Sequence, residues 1–409
     1  MELRPILSTL SRHKTAAALI VFEIALSCAI ICNALFLIAG RLERMDRPTG
    51  ADERHVVVTQ ARGLARDENA TAVTQGDLAA LRAIPGVANA TISNQVPFGN
   101  SNWNSSVRMT ADQRGETMSV SLYFADDRFI DTMGLKLIAG RDFNRDELGD
   151  FARMNETGEM EFASVILGEA VARRLFPAGD ALGKSLYIWG DKPARVVGIV
   201  ERLARPSADG PAAAYEESVL LPTLVSYANG GYLLRVNDPA QRDAVLEQAR
   251  KVLLAQGPTR IVDAEQARTL EAMRDRFYRQ DRAMAWLLVA VSVALLVVTA
   301  LGIVGLASFW VQQRSRQIGI RRALGATRGQ ILRYFQTENF LLATIGIVIG
   351  MLLAYALNQL LMQRYELPRL PLFYLPIGAV VLWLLGQVAV YGPARRAALV
   401  PPAVATRGA

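Results

Sequence analysis

Histidine and cysteine are nearly absent from this chain, which has two of each among its 409 residues. With only His13 and His55 available, a histidine-based zinc site or a Ser-His-Asp triad is nearly excluded. Cys28 and Cys32 lie four residues apart in an apolar run, on one face of a helix. A disulfide at that spacing is unfavourable, so we interpret both as small apolar packing residues.

A phosphate-binding loop is also missing. The Walker A pattern places four residues between its first glycine and the Gly-Lys pair, whereas GDALGKS (179–185) places three between Gly179 and Gly183. The preceding stretch EAVARRLFP looks helical, where the pattern requires a strand. We interpret the two glycines as turn residues, and we expect no ATP hydrolysis by this route.

No catalytic carboxylate pair stands out either. The acids of DDRFID (126–131) look like a helix start with solvated side chains. The sequence therefore predicts a non-catalytic chain that has no catalytic, cofactor-binding or metal-binding residues of its own.

Apolar sequence, in contrast, is abundant, with 51% hydrophobic residues. A helix needs about 20 apolar residues to cross a ~30 Å hydrocarbon core. Runs of this length predict transmembrane helices at 16–40, 283–311, 338–362 and 371–391. The first run is longer than the apolar core of a signal peptide and predicts an uncleaved anchor. The predicted fold class is an α-helical membrane protein with four transmembrane helices and a large α+β periplasmic domain, residues 41–282, between the first and second.

Basic residues predict the orientation. Residues 312–337, QQRSRQIGIRRALGATRGQILRYFQT, carry six arginines and no acid; we call them the basic segment. Lys and Arg concentrate on the cytoplasmic side of bacterial inner-membrane proteins. The N-terminal segment 1–15 and the tail 392–409 are also basic. Both termini and the basic segment are therefore predicted to be cytoplasmic, with a periplasmic turn at 363–370. This topology, rather than nucleic-acid binding, accounts for the formal charge of +7.

Three arginines just beyond the first span, Arg41, Arg44 and Arg47, oppose this orientation. Glu43 and Asp46 partly balance their charge, and large domains are translocated largely regardless of charge.

The 41–282 segment alternates strand and helix patterns, which favours an α+β domain. Strands are predicted at 56–60, 194–200 and 232–236, and amphipathic helices at 74–84 and 240–256. Thr74 or Asp77 is the predicted cap of the first helix. Residues 264–282 are predicted to form a stalk helix that continues into the second span without a break.

Two polar residues, Glu23 and Asn33, lie inside the first span. Two interpretations stay open: structural pairing or protonation within the helix bundle, or a role in a substrate path or in coupling. Gly346 and Gly350 in the third span have a spacing that permits close helix approach.

Several segments resemble a known family. QRSRQIGIRRALGATRGQILRYFQTENFLL closely resembles the segment after the second span in FtsX/MacB-type ABC transporter permeases. YGPARRAALVPPAVATR is similar to the ending of that family. YFADDRFIDTMGLKLIAGRDFNRDE, ASVILGEAVARRLFPAGDALGKSL and ARVVGIV resemble the MacB-type periplasmic core domain. The matches occur in the family's order and cover the second span to the C-terminus and much of the 41–282 segment.

The resemblance implies a permease dimer, either homodimeric or heterodimeric, bound to two cytoplasmic ABC ATPase subunits that hold ATP and Mg. Only about fifteen residues precede the first span, so we expect a separate ATPase subunit rather than a fused domain. The resemblance also implies a two-lobed periplasmic domain with an inserted lobe at about 116–190. The implied ATPase-contacting surface consists of Gln317, Ile318, Gly319, Ile320, Arg321, Arg322, Leu324, Gly325, Ala326, Arg328, Ile331 and Arg333.

The leading functional hypothesis is a permease for export or efflux that works by mechanotransmission, in which ATP-driven movement reaches the periplasmic domain. A periplasmic adaptor and an outer-membrane duct are further candidate partners. One alternative is a lipoprotein-extraction permease. Another is a non-transporting regulator of a periplasmic hydrolase or a sensor kinase. The arginines of the basic segment also suit anionic lipid headgroups.

Overall fold

A computed structural model describes residues 14–63, 69–113, 117–158, 161–207, 212–256, 260–262, 267–365 and 369–399. The chain divides into a membrane unit (1–46 and 280–409) and an extramembrane unit (47–279). The helices are α1 (Lys14–Met45), α2 (Ala70–Arg82), α3 (Phe129–Met133), α4 (Phe151–Thr157), α5 (Glu169–Leu175), α6 (Arg242–Ala255), α7 (Leu270–Phe277), α8 (Arg279–Gln313), α9 (Ser315–Ala323), α10 (Arg328–Tyr365) and α11 (Tyr374–Ala398).

The strands, all in the extramembrane unit, form two main sheets and a small ribbon. They are β1 (Val56–Thr59), β2 (Ala61–Gly63), β3 (Val87–Ser93), β4 (Asn104–Val107), β5 (Met118–Ala125), β6 (Leu137–Gly140), β7 (Gly149–Asp150), β8 (Ser164–Gly168), β9 (Ser185–Leu186), β10 (Ala194–Val200), β11 (Ser218–Leu224), β12 (Gly231–Val236), β13 (Arg260–Val262) and β14 (Arg268–Thr269).

Among its described residues, the membrane unit contains four helices that are long and apolar enough to cross a membrane, α1, α8, α10 and α11. This agrees with the predicted fold class. The bounds of all four helices differ from the predicted spans, and the two largest differences are at the start of α10 and the end of α11. Helix α10 begins at Arg328, so the second half of the basic segment is the first part of the third-span helix. Helix α11 continues to Ala398 through Pro393, so it includes Arg395 and Arg396, which the prediction placed in the tail. Residues 1–13, 366–368 and 400–409 lie outside the described residues.

An ion pair connects the C-terminal part of α1 to the N-terminal part of α8. Arg41 pairs with Asp281, and Arg44 Nη1 lies 3.7 Å from the same carboxylate. An acid of the other helix therefore faces these arginines, in addition to the nearby acids Glu43 and Asp46 that partly balance their charge.

The extramembrane unit has two lobes. In the four-stranded lobe, the antiparallel sheet has the order β14-β1-β12-β3. Helices α2 and α6 pack on it through a buried apolar cluster that includes Leu78, Leu81, Val245 and Leu253. In the eight-stranded lobe, a mixed sheet has the order β4-β5-β11-β8-β10-β6, and the short strands β7 and β9 pair with β11 and β10.

The inserted lobe is wider than predicted. Its sheet runs from β4, which begins at Asn104, to β11, which ends at Leu224, whereas the sequence prediction was about 116–190. Strand β11 lies in the middle of this sheet and pairs with β5 and β8, so the sheet would be divided in two without it.

Helix α2 shows why its predicted cap was wrong. The helix begins at Ala70, and Asn69 caps it by accepting a 3.1 Å hydrogen bond from Ala72 N. Thr74 and Asp77 lie inside the helix and are buried. Asp77 accepts a 2.5 Å hydrogen bond from Arg260 Nη1 and another from the Tyr232 hydroxyl, so tertiary partners retain this acid in a helix interior.

The stalk prediction is also corrected. Arg268–Thr269 form strand β14, helix α7 begins at Leu270, and a single turn residue, Tyr278, separates α7 from α8. Residues 263–266 lie outside the described residues. The predicted single stalk helix is therefore two helices, α7 and α8, with Tyr278 between them in the sequence.

Asp126 contradicts the expectation of solvated acids at the start of α3. Its side chain is 5% exposed and accepts hydrogen bonds from Thr91 Oγ1 (2.5 Å) and Arg128 N (3.1 Å). Burial raises the pKa of this carboxyl above its ordinary value. Gly179 and Gly183 have φ angles of +78° and +77° and form turns, as predicted.

Candidate functional site

The basic segment folds as a helix, a turn and the start of a second helix. The short helix α9 ends at Ala323, and Gly325 follows with a φ of +97°, which favours glycine. Thr327 then caps α10, because its hydroxyl accepts from Gln330 N (3.2 Å) while Gln330 Oε1 accepts from Thr327 N (2.9 Å). This reciprocal cap sets where the third-span helix begins.

Three of the predicted surface residues are not on the surface. Ile318, Gly319 and Ile331 are buried, and the two isoleucines belong to a cluster with Phe335, Ala394 and neighbouring alanines of α11. These contacts hold α9 against the start of α10 and the end of α11. The exposed members of the predicted set are Gln317, Ile320, Arg321, Leu324, Gly325, Arg328 and Arg333, and Arg322 and Ala326 are partly exposed.

The exposed part combines positive charge with apolar side chains. Leu324 is 83% exposed and Ile320 is 46% exposed, and both lie among arginines. Arg321 lies over the ring of Tyr334, with its guanidinium carbon 5.1 Å from the ring centroid. The exposed leucine at a tight turn and the basic residues around it together form a surface that can bind an apolar groove with an acidic rim. We call the exposed residues of 317–333 the coupling surface, after the ATPase contact that the sequence resemblance predicts for this segment.

A buried ion pair lies behind the coupling surface, and the sequence interpretation missed it. Arg314 Nη1 donates to both carboxylate oxygens of Glu338 at 3.0 and 2.9 Å, and the guanidinium carbon lies 5.4 Å from the Trp310 ring centroid. The available signal was the one acid that follows six arginines, 24 residues after Arg314. The pair ties the residue before α9 to α10.

The intramembrane residue Glu23 lies against the second span. A Cβ atom at Gly302 would lie 2.5 Å from Glu23 Oε2, so the glycine makes room for the carboxyl group. The Glu23 carboxyl makes no hydrogen bond or ion pair with any residue in the part of the chain that the structure describes. Nearby, the hydroxyls of Ser27 and Thr299 form a 2.8 Å hydrogen bond between the same two helices.

Asn33 links the first span to the third. Its Nδ2 atom donates to Ala29 O at 3.0 Å, within α1, and to Ala354 O at 3.1 Å, on α10. Both bonds go to main-chain carbonyls, which gives this residue a structural contact between the two helices.

Gly346 and Gly350 lie at the closest approach of α1 and α10. A Cβ at Gly350 would lie 2.5 Å from Cys28 Cβ and 2.6 Å from Ala25 O, and one at Gly346 would lie 2.9 Å from Ile24 Cβ. Gly305 on α8 has no such neighbour within 4 Å among the described residues. The cysteine is buried in this contact and acts as a small packing residue.

Two family models match this chain. The MacB-like periplasmic core domain matches residues 17–252, and the FtsX-like permease C-terminal matches residues 289–402. The chain is an ABC transporter permease of the FtsX/MacB family. The first match covers α1 and most of the extramembrane unit, and the second covers the coupling surface and the last three spans.

The curated relatives of this FtsX/MacB-type permease include proteins longer than this chain and proteins of similar length. It is 26% identical over 365 residues to the macrolide export ATP-binding/permease protein MacB 1/2 of Paracoccus denitrificans, covering 86% of this chain and 50% of that one. It is 29% identical over 287 residues to MacB of Chromobacterium violaceum, covering 67% and 41%. The chain thus spans about half the length of these relatives.

A relative of similar length is the uncharacterized ABC transporter permease YknZ of Bacillus subtilis, 24% identical over 349 residues, covering 84% of this chain and 82% of that one. Among solved structures, the extracellular domain of YknZ from Gram-positive bacteria matches with 17% identity and a TM-score of 0.32, covering 51% of this chain and 99% of that one. The periplasmic region of MacB from Actinobacillus actinomycetemcomitans matches with 15% identity and a TM-score of 0.32, covering 57% and 97%.

Proposed function

We propose that this permease binds a separate cytoplasmic ABC ATPase through its coupling surface and converts ATP hydrolysis by that subunit into movement of its periplasmic domain. ATP and Mg would be bound by the ATPase, and the permease contributes no catalytic residue. The observation that carries this proposal is Leu324, an 83% exposed leucine at the turn between α9 and α10, in a segment without acids.

The geometry of the coupling surface supports transmission of force. Helix α9 is fixed on one side by buried Ile318 and on the other by the Arg314–Glu338 pair. A partner that pushes on Leu324 therefore pushes on α10 directly, because the α9–α10 connection is a short capped turn. Rigid elements of this kind transmit displacements without absorbing them.

We further propose that the functional unit contains a second permease copy. Glu23 is half-buried and has no ion-pair partner among the described residues, although an ionisable side chain at this depth normally has one. A facing helix of a second chain, identical or different, would supply the missing polar contact. We also propose that the process served is export, which the names of the MacB relatives support. The basic residues support a cytoplasmic position for both termini and for the coupling surface.

The test is co-purification of tagged permease from native membranes in mild detergent, followed by mass spectrometry. We expect an ABC ATPase in the wild-type complex and its loss with Leu324→Asp. The matched control is Leu372→Asp, which also changes an exposed leucine (67%) of the membrane unit but lies outside the coupling surface. Retention of the ATPase by Leu324→Asp, or its absence from the wild-type complex, would overturn the proposal.

A further inference from the structure

A cleft of about 740 Å³ opens in the extramembrane unit beside the four-stranded sheet. Its walls are β1 and β12, the loop 94–103 that follows β3, and helix α7. Sites for drug-sized ligands typically enclose about 300–1,000 Å³. None of the residues that line the cleft belongs to the coupling surface.

The charge of the cleft has one sign. Arg62, Arg268 and Arg276 line it, and none of its lining residues in the described part of the chain is an aspartate or glutamate. The side chains of Arg62 and Arg276 are exposed and make no hydrogen bond or ion pair with the residues that the structure describes. Their guanidinium groups are available to bind a carboxylate or phosphate, for which the planar donor geometry of arginine is well suited.

The other walls are apolar or carry amides. Met273 and Phe277, both half-buried on α7, face the cleft together with Trp103 from the opposite loop. Gln60 and Asn229 add neutral hydrogen-bonding groups at the margin. An apolar wall with a few convergent polar groups is the usual composition of a small-molecule site.

The loop that forms one wall is held rigidly. Gln95 donates to Ser121 Oγ (2.8 Å) and Leu122 O (2.9 Å), and its Oε1 accepts from Trp103 N (2.7 Å). These bonds fix the loop to β5 before any ligand arrives, which lowers the entropy cost of binding.

One residue of the same loop is strained. Phe98 has a φ of +64°, an uncommon conformation for a bulky residue, and its buried ring lies 5.5 Å from the ring of Phe277. Strain of this kind persists only where the surroundings over-determine it, and it clusters at functional sites. Here it shapes the contact between the loop and α7.

We propose that the cleft binds a small anionic amphiphile, a molecule that carries a carboxylate or phosphate on an aromatic or aliphatic body. Arg62 and Arg276 bind the anionic group, and Phe277, Met273 and Trp103 contact the apolar body. Such a ligand touches α7, which is followed by Tyr278 and then by the second-span helix.

The experiment measures binding of dansylglycine, which has a carboxylate, and dansylamide, its uncharged counterpart, to the full-length chain in nanodiscs by equilibrium dialysis. Empty nanodiscs correct for partitioning into lipid. We expect saturable binding of dansylglycine, and binding of dansylamide that is weaker by about tenfold or more. Competition by 1-naphthyl phosphate and by 1-naphthoate then distinguishes the phosphate from the carboxylate class.

Variants locate the site. Arg62→Gln/Arg276→Gln should weaken dansylglycine binding at least tenfold and leave dansylamide binding unchanged, whereas Phe277→Ala should weaken both. Arg153→Gln/Arg195→Gln, which removes the same charge from positions outside the cleft, should bind like wild type. No saturable binding, or an equal loss in the two double variants, would overturn the inference. No ATPase is present in this assay, so failure of the coupling proposal would not affect it.

Discussion

Arg314 and Glu338 form a buried, two-oxygen ion pair that closes the base of the coupling surface, with Nη1 3.0 and 2.9 Å from the carboxylate oxygens. Their side chains are 8% and 2% exposed. The two residues flank α9 and the following turn in sequence. The pair therefore sets the position of α9 relative to the third-span helix, independently of the exposed arginines around it.

We expect Glu338→Gln to destabilise the membrane unit by about 3–5 kcal/mol, because it leaves the Arg314 charge buried without its counterion. The measurement is thermal unfolding of the full chain in nanodiscs. Arg316→Gln is the control, since Arg316 is exposed and lies two residues from Arg314. Replacing both partners by leucine should recover part of the loss. Equal unfolding midpoints for Glu338→Gln and Arg316→Gln would contradict the prediction.

The close contact between α1 and α10 gives a second prediction. Gly350→Ala should lower the unfolding temperature, because the new methyl group would lie 2.5 Å from Cys28 Cβ and 2.6 Å from Ala25 O, and a main-chain oxygen cannot move aside easily. Overpacking of this kind typically costs about 1–3 kcal/mol. Gly305→Ala, where no described atom lies within 4 Å, should be neutral or slightly stabilising. If both variants behave alike, the two helices are not in the contact described.

In the extramembrane unit, Asp77→Ala should cost about 3–5 kcal/mol of unfolding free energy, since it removes the carboxylate that pairs with the buried guanidinium of Arg260. The Arg260 side chain is 2% exposed and that of Asp77 is 1% exposed. Asp112→Ala, an exposed acid in a turn of the other lobe, is the control and should change stability by less than about 0.5 kcal/mol. The readout is chemical denaturation followed by circular dichroism, and a small effect of Asp77→Ala would refute the assignment.

The free energy of unfolding of the extramembrane unit should fall as the pH rises from about 4 to about 6. Burial raises the pKa of Asp142 to about 6, and the neighbouring carboxylates Asp126 and Asp127 add to the rise. A carboxyl whose pKa is higher in the folded state stabilises the fold while it is protonated, and this contribution is lost as the pH rises through about 6. Arg141 lowers the pKa of Glu147 to about 2, so that group acts below this window.

Asp142→Asn should make the unfolding temperature nearly independent of pH between about pH 4 and pH 6. The asparagine carbonyl can still accept the 2.7 Å hydrogen bond from Phe143 N. Asp146→Asn, at an exposed position of the same loop, should keep the wild-type slope. A full pH-dependent fall in Asp142→Asn would show that other groups cause it.

Sequence patterns predicted where most helices and strands lie along the chain, but not which residues contact one another in the fold. The strand prediction at 194–200 matches β10 because a run of β-branched residues between loops has few alternatives. The prediction of Asp77 as a helix cap was wrong because an aspartate in a sequence looks the same whether it caps a helix or pairs with Arg260, 183 residues away. The same limitation applies to Glu338: its place after six arginines was the available signal, but only the fold shows that it pairs with Arg314.

Long apolar runs are enough to predict the four spans, since only such runs can cross a bilayer, and ordered segments on both sides of the second span indicate the family. Which residues of the basic segment are exposed, in contrast, depends on the three-dimensional packing. Ile318 and Leu324 are both apolar and six residues apart, yet one packs on α11 and the other faces outward. The physical reason is that burial depends on what other parts of the chain bring alongside a residue, which hydropathy and spacing do not contain.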